Sequence, residues 1–283
     1  MTKFLTLLFT TFIFQSVFAS YFDEQGNFHR EWFAHNTEQV EKIASNKREV
    51  YTNHYFENWF QEKIEETDLR EEKKQLLGES LNLNQGPEYF LCEDSELSCR
   101  LNLIFGYEKS IKLLYIIHEF GYNPSHLFTS RDFSAPYEEF SDEELVDVIT
   151  AMALFDSKRL KNQRKRFIRF TNYSNGNSIA NGRIHLFASW RKLARADRVA
   201  VVVHEIGHNI GYMRPNNDLS MSSYQVSKEW ASLYEQGCHI SEYAKASQYE
   251  AFAESVSLFK LDPQTFKAVC PKNYQYLRSV FDQ

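Results

Sequence analysis

The sequence has no excess of basic residues and no internal repeat. Its 283 residues include 32 Lys and Arg against 38 Asp and Glu, which gives a formal charge of −6, and the two signs are interspersed. Because binding to a phosphate backbone depends on a basic surface, this balance argues against a nucleic-acid partner. No low-complexity tract is evident either, and the length suffices for one large or two modest domains.

Long apolar runs are missing after the N-terminus, which argues against a membrane-spanning helix in the rest of the chain. Residues 1–19 have the pattern of a secretory signal peptide, with Lys3 as the positive charge, residues 4–14 as the apolar core and Val17-Phe-Ala19 as the cleavage site. An uncleaved anchor is the alternative, but this apolar core is too short to span a bilayer comfortably. We therefore predict that cleavage after Ala19 releases a soluble protein that is secreted or periplasmic.

Cysteines are few, and none of them form the C-x-x-C pairs typical of zinc–cysteine sites. The four are Cys92, Cys99, Cys238 and Cys270, an even number that fits two disulfides in an oxidising compartment. Three pairings are possible. We favour the local one, because Cys92 and Cys99 flank a short acidic loop while Cys238 and Cys270 both follow the His-containing segment described below.

The first part of the mature chain is polar with scattered aromatic residues. Their near-helical spacing from Tyr21 to about Asn84 predicts two or three amphipathic helices, and a further helix is predicted from about Glu108 to Phe120. The Pro- and Ser-containing stretch from Asn123 to Pro136 is the best candidate for a domain boundary. We therefore divide the mature chain into residues 20–135, a helical region of unknown role, and residues 136–283.

The second part begins with a helix signal and contains a strand signal. Ser141-Asp-Glu-Glu144 matches a capping box and predicts a helix that runs to about Asp156. The basic run from Lys158 to Arg169 is interpreted as a solvated segment. Arg183 to Ser189 alternates as a strand does. An exposed edge there would hold an extended peptide through backbone hydrogen bonds.

The stretch from Asp197 to Gly211 contains the motif His-Glu-x-x-His and fits a helix of ordinary length. On a helix, His204 and His208 lie on one face, so their imidazoles can meet one metal ion. Glu205 lies about 100° around the helix, within reach of a water on that metal. Zinc accepts neutral imidazole readily, and three protein ligands leave it one open position. A similar stretch at His118 carries Tyr in place of the second His, so we interpret His118 as a structural or surface residue.

Two histidines need a third ligand, and the chain offers two acids for it. Glu250 and Glu254 are four residues apart and would share one face of a helix. Ser247-x-x-Glu250 also matches a capping box, in which Glu250 would reach back to the backbone and Glu254 would be the ligand. The spacing does not decide between them.

The motif His204-Glu-x-x-His208, followed by Tyr243 and then by Glu250-Ala-Phe-Ala-Glu254, resembles the catalytic domain of anthrax lethal factor and the related Pro-Pro endopeptidases. These are zinc metallopeptidases of the gluzincin group, and the resemblance covers residues 185–260. It implies that Glu250 is the third zinc ligand and that Glu254 is a nearby acid supporting a ligand. It also implies that Tyr243 donates a hydrogen bond to the developing oxyanion.

The resemblance implies a mainly helical α+β fold, zincin-like, with a small strand-containing lobe and a helical lobe around the His-Glu-x-x-His helix. Residues 136–283 would be the catalytic domain, holding one Zn²⁺ per chain. Such an enzyme hydrolyses peptide bonds with a zinc-activated water and Glu205 as general base. Its partner would be a polypeptide substrate bound along an edge strand, with no nucleic acid and no membrane span after signal removal.

Two other functions fit the same residues. One is a zinc hydrolase that acts on another amide, such as a cell-wall or N-acyl linkage. The other is a non-catalytic protein that keeps zinc only for its fold. The presence of Glu205 argues against the structural zinc, because such a site has no use for a base beside an open coordination position.

Overall fold

The computed structural model describes residues 37–66, 105–124, 140–161, 167–171, 179–180, 183–211 and 226–282. Contacts divide the chain into two compact units. The central unit is Ala44–Val199, and the C-terminal unit is Ala200–Gln283 with the described residues up to Ile43. The predicted boundary near residue 136 falls inside the central unit. No role is assigned to residues 20–135.

Helices dominate the described part of the chain, which confirms the prediction of a mainly helical protein. Those before the His-Glu-x-x-His motif are α1 (Thr37–Val50), α2 (Asn53–Glu66), α3 (Tyr107–Tyr115), α4 (Asp142–Met152), α5 (Ser157–Lys161) and α6 (Ala188–Arg191). In the central unit, α2 and α4 both pack on α3. The predicted amphipathic helices of the first region are confirmed for α1 and α2.

The helix α3 continues as a π-helical turn, Ile116–Phe120, which holds His118. It ends at Gly121 in the left-handed conformation, with φ 66°, as is usual for a glycine after a helix. The His118 ring lies against Trp59, with 5.7 Å between ring centroids. This placement agrees with the structural role predicted for His118.

The capping box at the start of α4 is present as predicted. The Ser141 hydroxyl accepts a hydrogen bond from the Glu144 backbone N–H at 3.2 Å, and the Glu144 carboxylate accepts one from the Ser141 N–H at 2.7 Å. The helix ends at Met152, earlier than the predicted Asp156. Helix ends are where sequence patterns locate an element least well.

A four-stranded sheet in the central unit has the order β1-β2-β4-β3. Its strands are β1 (Asn123–Pro124), β2 (Phe167–Thr171), β3 (Ile179–Ala180) and β4 (Arg183–Phe187). β2 runs parallel to both β1 and β4, whereas β3 is antiparallel to β4. At Ile184 and His185, β4 therefore has a neighbouring strand on each side, β2 on one and β3 on the other. Pairing of an extended substrate with a sheet edge stays a prediction.

One sequence interpretation is wrong at this sheet. The end of the basic run forms β2 rather than a solvated segment, and Ile168 is 1% exposed. The strand was not recognised because basic residues surround its apolar ones in the sequence. The predicted strand at Arg183 is confirmed, and it ends at Phe187, where α6 begins.

The C-terminal unit is built from helices. The division between the two units falls within α7 (Arg195–Gly211). The elements that follow it are α8 (Lys228–Glu235), a 3₁₀ turn (Tyr243–Lys245), α9 (Gln248–Leu261), α10 (Pro263–Val269) and α11 (Pro271–Phe281). α9 packs against the 3₁₀ turn and against α8, α10 and α11. Trp230 is fully buried there, and its indole N–H donates to the Gln248 carbonyl at 2.9 Å.

The disulfide Cys238–Cys270 is present in this unit and confirms one of the two predicted pairs. Cys92 and Cys99 lie outside the described residues, as does the predicted signal peptide at residues 1–19. Within the described ranges, no helix combines the length and the apolar character that crossing a membrane requires.

Candidate metal centre

The helix α7 carries the two histidines and the glutamate of the His-Glu-x-x-His motif. His204 and His208 face the same side, with their ring centroids 4.7 Å apart and the ring planes at 85°. Both side chains are largely buried, with 12% and 6% exposure. The four-residue spacing thus places two imidazoles together, as the helical period requires.

Glycines on α7 allow α9 to approach the histidines closely. A Cβ built on Gly207 would lie 3.0 Å from the Ala253 Cα, and one on Gly211 would lie 2.8 Å from the Phe252 ring. The Ser257 hydroxyl adds a hydrogen bond to the Ala200 carbonyl at 3.2 Å. Small residues at the contact therefore let the two helix backbones lie near each other.

Glu250, in the first turn of α9, is the acid that joins the histidines. Its Oε2 lies 3.2 Å from His204 Nε2 and 3.1 Å from His208 Nε2. The Ser247 hydroxyl caps α9 by accepting from the Glu250 N–H at 3.2 Å, so the cap is made by the serine while the Glu250 carboxylate lies against the imidazoles. The choice between Glu250 and Glu254, which spacing left open, goes to Glu250 on geometry.

These three side chains could hold a metal ion. Tetrahedral coordination with bonds of 2.0–2.1 Å would put ligand atoms about 3.3–3.4 Å apart, close to the two nitrogen–oxygen distances observed. His204, His208 and Glu250 each offer one ligand atom, and these three atoms all lie within 4.8 Å of one another. Two neutral imidazoles and one carboxylate are also a donor set found in catalytic zinc sites.

Glu254 lies one turn after Glu250 and meets the other nitrogen of His204. Its Oε1 is 2.9 Å from His204 Nδ1, and its side chain is 1% exposed. An acceptor at Nδ1 holds a proton there, so Nε2, which lies against Glu250, would be the nitrogen that ligates a metal. Glu254 thus occupies the place that the sequence resemblance implied for a supporting acid.

Glu205 is buried beside the cluster, at 3% exposure. Within the described part of the chain, its Oε2 has no hydrogen-bond partner. A buried polar atom without a partner is costly, and native structures keep one mainly where it has a function or where water or an ion completes it. The general-base role of Glu205 stays a prediction.

Tyr243 starts the 3₁₀ turn before α9, and its ring lies near His204, with 6.0 Å between centroids. Burial raises the pKa of its hydroxyl, and the negative charge of Glu250 raises it further. The hydroxyl therefore stays protonated near neutral pH and can act as a hydrogen-bond donor.

Burial raises the pKa of two of the three acids in this cluster, Glu205 and Glu254. It raises the pKa of Glu205 to about 8, with Glu250 and Glu254 adding repulsion against the partial compensation of His204. It also raises the pKa of Glu254 to about 7, although the His204 ring and the Ser241 hydroxyl oppose this. For Glu250, burial acts in the same sense, but the two histidines close to its Oε2 outweigh it and hold the pKa well below its usual range.

The two histidines differ in their electrostatic surroundings. Burial alone would lower the pKa of His204, but carboxylates at both ring nitrogens raise it to about 10. For His208, burial prevails and lowers the pKa. A buried group of negative carboxylates around imidazole nitrogens is an environment that a divalent cation would stabilise, since its positive charge favours the carboxylate form.

Ser241 also belongs to this cluster, although no sequence pattern indicated it. Its hydroxyl donates to Glu254 Oε2 at 2.6 Å, and no motif signals a serine thirteen residues before its partner.

Comparison with protein-family models, curated proteins and solved structures found no match to this chain.

Proposed function

We propose that this protein is an exported zinc-dependent endopeptidase with a zincin-like fold, related to the gluzincins. The observation that carries the proposal is the unpartnered, buried Oε2 of Glu205 beside a His204–His208–Glu250 cluster with ligand-like spacing. Three ligands and a free base are the elements of a hydrolytic zinc site, whereas a structural zinc site has four closed ligands.

His204, His208 and Glu250 would hold the metal, and Glu254 would fix the tautomer of His204. When bound, zinc supplies a Lewis acid that polarises a carbonyl and lowers the pKa of a water to about 7.

Glu205 would accept a proton from the attacking water and deliver it to the leaving amine. Burial raises the pKa of Glu205 in the metal-free protein. A bound cation would lower it again, which favours the carboxylate form that a general base requires. The Tyr243 hydroxyl would donate a hydrogen bond to the oxyanion that forms at the carbonyl, an interaction worth about 3 kcal/mol for one donor.

The test is digestion of a peptide library by the mature protein and by Glu205→Gln, with zinc content measured for both. Glu235→Gln, at an exposed position on α8, is the matched control. We expect the wild type and Glu235→Gln to cleave equally, and Glu205→Gln to keep its zinc but lose at least about 10²-fold in rate. Cleavage by Glu205→Gln at the wild-type rate would refute the proposal. A zinc-loaded wild type that cleaves no peptide would favour hydrolysis of another amide.

A further inference from the structure

Ser241 lies at the junction of two parts of the candidate metal centre. It is fully buried, and its hydroxyl is 2.6 Å from Glu254 Oε2. The same oxygen accepts a hydrogen bond from the backbone N–H of Ala244 at 2.9 Å. One side chain therefore contacts both the acid behind His204 and the turn that presents Tyr243.

The direction of these hydrogen bonds is fixed by the available donors. The Ala244 N–H can only donate, so it uses a lone pair of the Ser241 oxygen. The single hydroxyl proton of Ser241 is then directed at Glu254, whose other oxygen faces His204 Nδ1 at 2.9 Å. The result is an ordered chain from the backbone of the 3₁₀ turn to the imidazole.

The segment that carries Ser241 is attached at both ends. Before it, Cys238 is bonded to Cys270, and the Asn273 amide donates to the Cys238 carbonyl at 3.3 Å. After it, the Tyr234 hydroxyl donates to the Lys245 carbonyl at 2.8 Å. A segment held in this way can define the position of a hydroxyl, which positioning of a metal ligand requires.

We propose that Ser241 is a positioning residue for the metal centre. It orients the Glu254 carboxylate, and through it His204, while its oxygen forms the turn that places Tyr243 beside the same imidazole. The inference rests on the proposed function only in requiring that His204 binds a metal. It adds a residue that the sequence motifs do not contain.

The test is Zn²⁺ affinity, measured by competition with a chromophoric chelator, for Ser241→Ala, Glu254→Gln and the double variant. Ser110→Ala is the matched control, because Ser110 is a buried serine on α3 whose hydroxyl donates to the Gly106 carbonyl at 2.6 Å and not to this chain. Thermal unfolding of each apo variant separates loss of fold from loss of affinity. The absorption spectrum of the Co²⁺-loaded protein reports the ligand geometry independently of zinc affinity.

We expect Ser241→Ala and Glu254→Gln each to weaken Zn²⁺ binding by about 10- to 100-fold, as loss of a residue that supports a metal ligand does. Ser110→Ala should bind as the wild type does. Because Ser241 acts through Glu254, the double variant should bind about as weakly as Glu254→Gln alone.

Equal affinity of Ser241→Ala and Ser110→Ala, with unchanged Co²⁺ spectra, would overturn the proposal while leaving the proposed function standing. Fully additive losses in the double variant would also overturn it, since the two residues would then act separately. Failure of the wild type to bind Zn²⁺ would instead overturn the proposed function, and with it the role of Ser241.

Discussion

Gly207 and Ala253 touch so closely that no side chain fits between them. A Cβ on Gly207 would lie 3.0 Å from the Ala253 Cα and 3.2 Å from the Ala253 carbonyl oxygen. Backbone atoms cannot move aside as the end of a side chain can. The approach of α9 to α7 at this point is what lets the short Glu250 side chain reach two imidazoles on the neighbouring helix.

Gly207→Ala should therefore destabilise the protein. In most helix interiors this change stabilises by about 0.5–1 kcal/mol, because alanine is the better helix former. Here we expect a loss of about 1–3 kcal/mol from overpacking, measured by denaturant unfolding. Gly211→Ala is the comparison: its Cβ would lie 2.8 Å from the ring of Phe252, which is itself buried, so a loss of similar size is expected. A stabilising Gly207→Ala would contradict this account.

The Cys238–Cys270 bond should contribute much of the stability of the C-terminal unit. It closes a loop of 32 residues, for which the chain-entropy model gives about 3–4 kcal/mol. We expect the double Cys→Ser variant at these positions to lose an amount of that order in urea unfolding under oxidising conditions. Equal unfolding free energies of the two proteins would argue that the bond does not constrain the unfolded chain. Peptide mapping without reduction would also test the predicted Cys92–Cys99 pair.

Asp147 anchors the start of the His-Glu-x-x-His helix within the central unit. Its carboxylate is 1% exposed and accepts hydrogen bonds from Arg198 Nε at 2.7 Å and from the terminal guanidinium nitrogen at 2.6 Å. Removing one partner of a buried ion pair leaves an uncompensated charge and costs about 3–5 kcal/mol.

We expect Asp147→Ala to show a loss of that size in thermal or denaturant unfolding. Glu143→Ala is the matched control on the same helix, since Glu143 is 67% exposed and 3.6 Å from Arg48. An exposed pair contributes about 0–1 kcal/mol. Equal losses in the two variants would show that burial of the Asp147–Arg198 pair is unimportant.

Tyr243→Phe removes the proposed oxyanion donor without changing the ring. We expect kcat to fall about 10²- to 10³-fold, while zinc content and KM stay near the wild-type values. Burial keeps the hydroxyl protonated, so the loss should be the same across neutral pH. Unchanged kcat would remove Tyr243 from the mechanism, and a parallel loss of zinc would make it a structural residue instead.

The parts of the fold that sequence predicted are those set by local patterns. The capping box at Ser141, the amphipathic helices and the helix at His204 follow from spacings within one or two turns. The strand β2 was missed because it is held by pairing with β1 and β4, which lie outside the stretch itself. The many basic residues of the run gave it the composition of a solvated segment.

The sequence indicated which residues could form the cluster, but not which of their atoms are in contact. The four-residue spacings of His204 with His208 and of Glu250 with Glu254 place each pair on a helix face. Which glutamate meets which nitrogen depends on the approach of the two helices. Ser241 could not be found from sequence, because a hydrogen bond to Glu254 leaves no pattern in the chain.

Metal analysis of the purified mature protein tests the central claim most directly. Mass-spectrometric zinc quantification should find one zinc per chain in the wild type and in Glu235→Gln, and little zinc in His208→Ala or Glu250→Ala. Chelation should lower the unfolding temperature of the wild type and of Glu235→Gln but not of the two ligand variants, because binding at 100 times Kd stabilises by about 2.7 kcal/mol. A correctly folded wild type that neither contains zinc nor takes it up would contradict the account.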